Sequence, residues 1–89
     1  MNIEITGINV DITEALKELS EKKLTKLSTF DANIMRVHLV FKLEGHEHNA
    51  RATVHTKGEN LIAQASSKDM YKTIDLILDK LVHQMKNKR

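Results

Sequence analysis

Residues 34–66 read IMRVHLVFKLEGHEHNARATVHTKGENLIAQAS, and three segments of this run repeat with a period of two. In the first, Met35, Val37, Leu39, Phe41 and Leu43 alternate with Arg36, His38, Val40 and Lys42, the pattern of a strand with one buried face. The second sets the small residues Ala50, Ala52 and Val54 against Arg51, Thr53 and His55. After KGEN at 57–60, whose composition suits a tight turn, Leu61, Ala63 and Ala65 form the inward side of the third. Short connections make consecutive strands antiparallel, so the run is a meander whose apolar face the rest of the chain must cover.

The flanking segments supply that cover. Near the N-terminus Ile3 and Ile5 alternate with Asn2, Glu4 and Thr6 in a further strand, which Gly7 ends or bulges. Between this strand and residue 34, DITEALKELSEKKLTKLSTF (11–30) places Leu16, Leu19, Leu27 and Phe30 on one side at helical spacing, with Thr13 as N-cap and Glu14 in the first turn. A final helix from about Asp69 to the end buries Met70, Ile74, Ile77, Leu81 and Met85, with Ser67 as its cap. The expected fold is α+β, a β-α-β-β-β-α two-layer sandwich with a four-stranded mixed sheet and two helices on one face. A right-handed crossover leaves the second strand parallel to the first. Chain direction then makes the two helices parallel, so that both end at the same pole.

Composition bounds the rest. Eighty-nine residues, 40% of them hydrophobic, suffice for a single domain spanning 1–89 and not for two. The absence of cysteine excludes disulfides, thiolate zinc sites and thiol catalysis. No signal-like or membrane-spanning run of apolar residues occurs, so a soluble, cytoplasmic protein is expected. A formal net charge of +2 says little about partners, and the distribution of charge has to say it instead.

That distribution is uneven. On the first helix Glu14, Glu18 and Glu21 fall on one flank and Lys22, Lys23 and Lys26 on the other, toward the C-terminal half. In DMYKTIDLILDKLVHQMKNKR (69–89) the acids Asp69, Asp75 and Asp79 come early, and Lys80, His83, Lys86, Lys88 and Arg89 follow with no acid among them. Helix dipoles favour a cation or two in a last turn, by about 0.3–1 kcal/mol each. They do not ask for lysines in mid-helix or for an acid-free tail. With the helices parallel, the two basic groups become neighbours, an electrostatic footprint suited to a phosphate backbone. The open sheet face, with Arg36, His38, Val40, Lys42, Arg51, Thr53 and His55, has no aromatic platform for stacking bases. What remains is recognition of a folded RNA through helix faces, with the acids held at poles and flanks away from it. Tyr71, at the opening of the last helix, is either a further contact or a packing residue.

Other chemistries lack their machinery. His46 and His48 in GHEH have no third ligand in sequence, so exposed, titratable histidines are expected and no metal or other cofactor. No nucleophile elbow, phosphate loop or metalloprotease motif occurs, and neither an enzyme nor a small-molecule substrate is expected.

TGINVDITEALKE, the basic EKKLTKL and DMYKTIDLILDKLVHQMKNK together resemble the bacterial ribosome hibernation-promoting factor family in its short form, over essentially the whole chain. The resemblance implies a factor of the small ribosomal subunit that lies between head and body, overlaps the paths of messenger and transfer RNA, and blocks translation in stationary phase. Its helix-borne cations would contact ribosomal RNA, which by position are Lys22, Lys23, Lys26, Lys80, Lys86 and Lys88. His83 stands where the family usually has arginine, so one permanent contact becomes pH-dependent. Ser20 stands where the family is usually apolar, which weakens packing. A short chain of this family is expected to favour inactive ribosome dimers together with ribosome modulation factor. The alternatives are a structured-RNA-binding domain unrelated to ribosomes and a protein-interaction module that pairs through a strand edge.

Overall fold

The alternating runs become strands and the 3.6-period runs become helices, in the expected order. The computed structural model describes residues 1–87. It contains β1 (Asn2–Ile8), α1 (Glu14–Thr25), a 3-10 turn (Lys26–Thr29), β2 (Ile34–Glu44), β3 (Glu47–Thr56), β4 (Glu59–Ser67) and α2 (Met70–Lys86). The sheet order is β1-β2-β3-β4, with β1 parallel to β2 and the other two pairs antiparallel. One core joins both layers. Val37, Leu39, Phe41 and Val54 from the sheet meet Leu24, Leu27, Ile74, Ile77 and Leu81 from the helical layer, all at 0% exposure. Each large side chain buried there stabilises the fold by about 1.5–3 kcal/mol.

Local chemistry sets the ends of the elements. The Oγ1 of Thr13 accepts from the Leu16 amide at 3.1 Å and starts α1. At α2 the cap is Asp69, whose Oδ1 accepts from the Tyr71 amide at 3.0 Å, and not Ser67 as the sequence suggests. Ser67 instead bonds Asp69 and the hydroxyl of Thr73. Buried Thr73 in turn donates to the His48 carbonyl at 2.8 Å, which fastens the first turn of α2 to β3. Gly7 lies within β1 and permits a close crossing, because a Cβ there would stand 2.4 Å from the Val10 carbonyl oxygen. Asn9, at φ 58°, completes that corner.

Two residues expected in the core are outside it. Met35 is 64% exposed because β2 carries an irregularity between Ile34 and Arg36; Ile34 takes the inward position at 7% and the alternation resumes at Val37. Phe30 is 45% exposed, since α1 tightens into the 3-10 turn at Lys26 and the following residues leave the helical stripe. Leu24, which the expected stripe left out, is fully buried. Ser20 is also fully buried, and its hydroxyl has no hydrogen-bond partner, so the weak point expected in the packing of α1 is a buried unsatisfied polar group.

Helix α2 also shields the sheet. Lys80 donates through Nζ to the Gln64 carbonyl, and Gln84 Nε2 donates to the Ile62 carbonyl at 2.9 Å. Both acceptors lie on the outer edge of β4, where a strand otherwise offers a template for pairing.

Candidate nucleic-acid interface

Four contacts orient the helices. Lys23 meets Asp75 at 2.6 Å, and further along both segments the Lys86 ammonium lies 5.6 Å from the centre of the Phe30 ring. The helices therefore run in the same direction. Lys80 reaches Gln64 while Gln84 reaches Ile62, so α2 runs opposite to β4 and ends over the β3–β4 turn. That turn is joined to the start of β2 by the Lys57 amide, which donates to the Asn33 carbonyl at 3.2 Å. One pole thus gathers the C-terminal ends of both helices, the loop before β2, the β3–β4 turn and the N-terminus.

The cations expected to act together divide into three groups. Lys23, Lys26 and Lys86 flank the groove between the helices, which Phe30, Leu78 and Val82 floor. Lys22 is exposed one step outward on α1. Lys80 lies on the other flank of α2, against β4, and His83 faces solvent between the two flanks. The Nδ2 of Asn87 can only donate, so at 2.8 Å the His83 Nε2 accepts, and in this arrangement that nitrogen offers no donor to a phosphate. Tyr71 is 45% exposed in the first turn of α2, at the pole opposite Lys86. Lys88 and Arg89 lie outside the described residues.

The acids are not where the sequence suggested. Asp75 and Asp79 line the inter-helix groove beside Lys23 and Lys26, because the flank of α2 that faces α1 includes positions 75, 78, 79 and 82. Lys23 is consequently paired before any ligand arrives. The pair is half-buried on the lysine side and open on the aspartate side, so a phosphate reaching Lys23 would have to displace the Asp75 carboxylate.

The same pole holds cations that reading the helices alone leaves out. Arg36 is exposed on the open sheet face at the start of β2, and Lys57 is exposed in the β3–β4 turn. The signal that would have found them is the meander itself, which returns the 57–58 turn to the pole where the helices end. Elsewhere the chemistry is sparse. His46 is exposed in the β2–β3 turn while His48 projects toward the core side of β3, and among the described residues no cluster of three metal-ligating side chains exists. No described helix is long and apolar enough to cross a membrane.

Known proteins resemble this chain in sequence and in fold. The family model described as Sigma 54 modulation protein / S30EA ribosomal protein matches residues 3–89. A ribosome hibernation promoting factor of Escherichia coli is 42% identical over 85 residues, 96% of this chain and 90% of the relative. One from Azotobacter vinelandii is 34% identical over 96% of this chain and 79% of its own length. Among solved structures, a ribosomal subunit interface protein from Coxiella burnetii superposes with a TM-score of 0.92 at 41% identity, covering 97% of this chain and 94% of that one. The N-terminal domain of Protein Y from Thermus thermophilus superposes at 0.91 with 31% identity and full coverage of both.

Proposed function

This chain belongs to the Sigma 54 modulation protein / S30EA ribosomal protein family, and on that premise we propose that it is a ribosome-associated hibernation factor acting in the cytoplasm without chemistry of its own. It binds ribosomal RNA of the small subunit in the decoding channel and excludes messenger and transfer RNA by occupying their paths. Inactive ribosome dimers, formed together with ribosome modulation factor in stationary phase, are the stored state it favours.

The observation that carries this reading is the row of Lys22, Lys23, Lys26 and Lys86, which runs from the last turn of α1 along the inter-helix groove to the end of α2, in a molecule whose sheet face has no stacking aromatic. Phosphates supply most of the affinity for such a surface, and shape supplies the site. Phe30 adds a half-exposed ring under Lys86. Lys80 is a weaker contributor than its neighbours, because its ammonium would have to leave the Gln64 carbonyl. The covering of β4 by Lys80 and Gln84 disfavours the alternative of a module that pairs through that strand edge.

Cosedimentation with small ribosomal subunits across a salt series tests the reading, with messenger and initiator transfer RNA as competitors. Stoichiometric binding that weakens steeply with salt and is lost to the competitors is expected. Binding indifferent to both, or preference for an arbitrary RNA duplex, would refute it.

A further inference from the structure

The sheet side of the basic pole is built in a way that the helix-face reading does not use. The irregularity at the start of β2 turns Met35 out to 64% exposure, the highest among the large apolar side chains described. Arg36 follows on the open sheet face, directly across from His55, whose ring is held by Asn60 Oδ1 at 2.8 Å. The Lys57 backbone amide donates to the Asn33 carbonyl at 3.2 Å, which brings the β3–β4 turn next to the start of β2. A bulge that places an unbranched apolar side chain in water next to Arg36 has no role in the core, which Ile34 already fills. Nor does a helix dipole account for Arg36 or Lys57, since neither is on a helix. Of the acids at this end, Asp31 accepts from the Asn33 amide at 2.8 Å and Glu59 is also engaged in an interaction.

We propose that Met35, Arg36 and Lys57 form a second RNA-contact arm, which receives a single-stranded segment continuing around the pole from the helix side. Arg36 and Lys57 take successive phosphates, the planar guanidinium suiting two oxygens of one of them. Met35 lies against the face of an unstacked base, a contact that carries no charge. The protein is then gripped from two sides of one pole and not laid on RNA by its helices alone. This inference rests on the ribosomal-RNA reading above.

The two kinds of contact have different signatures in a salt series. Binding to small ribosomal subunits is measured for the wild-type chain, R36Q/K57Q, M35S and K26Q/K86Q, with thermal unfolding as the control for folding. All five positions are exposed, so unfolding temperatures should stay together. R36Q/K57Q should lower the slope of log affinity against log salt by about 1.5. M35S should weaken binding several-fold at every salt concentration and leave the slope unchanged. If R36Q/K57Q keeps the wild-type slope while K26Q/K86Q loses its share, the second arm does not exist and the helix-face reading stands. If K26Q/K86Q also keeps the wild-type slope, the ribosomal-RNA reading fails and the arm fails with it. Wild-type affinity in M35S overturns the apolar contact.

Discussion

The two ends of the sheet differ in how far folding alone explains their charges. At the end where the helices begin stand Asp11, Glu14, Glu44, Glu47 and Asp69, with Lys42, Lys68 and Lys72 nearby. Much of this charge has structural work: Asp69 caps α2, Glu14 sits in the first turn of α1, and Glu44 pairs with Lys42 at 3.6 Å and accepts from Asn49 at 2.9 Å. At the end where the helices finish stand Lys22, Lys26, Arg36, Lys57 and Lys86, with the acids Asp31 and Glu59, both of them engaged. Here the helix dipole favours Lys22 and Lys86 in their last turns. It has no bearing on Arg36 and Lys57. Charge without a folding role is the better guide to a partner, and only the second pole has a surplus of it.

Each prediction tests that contrast. The double reversal K26E/K86E should weaken binding to small ribosomal subunits by on the order of a hundredfold or more at moderate salt, since two attractive sites become repulsive. A variant that still cosediments would remove the functional pole altogether. At the opposite end, Asp69→Ala should lower the unfolding free energy by about 1 kcal/mol in denaturant titration and leave RNA affinity alone, because it removes a cap. A loss of affinity without a loss of stability would make the acidic pole functional too.

Between the poles, Ser20→Ala should raise stability by up to about 1 kcal/mol, as it deletes a buried hydroxyl that has no partner. A destabilised variant would mean that the hydroxyl is satisfied in solution. The smallest expected change is in His83→Arg. A permanent cation there should strengthen binding several-fold and steepen the salt dependence by about one contact. An unchanged slope would place position 83 away from phosphate.

Much of this was legible in the sequence, within limits set by local geometry. Alternation identified all four strands, and Thr13 was recognisable as a cap because its hydroxyl acts within its own turn. Met35 and Phe30 were misassigned for a shared reason: a bulge and a 3-10 turn each interrupt the period on which the inward face is counted. The site was harder. Lys80 and Lys86 are both basic and both lie off the buried stripe of α2, but one flank abuts β4 and the other faces α1. Only the packing of the layers distinguishes those flanks. Asp75 and Asp79 were misplaced by the same ambiguity.

The cover over β4 also bears on how copies of this protein stay apart. Loss of the Gln84 side chain would release the Ile62 carbonyl while Lys80 still holds that of Gln64. The backbone acceptor uncovered in that way belongs to Ile62, whose side chain is 46% exposed. An open edge acceptor beside an exposed apolar side chain is a template on which a second strand can pair, so the Gln84 contact keeps molecules apart as well as holding the two layers together.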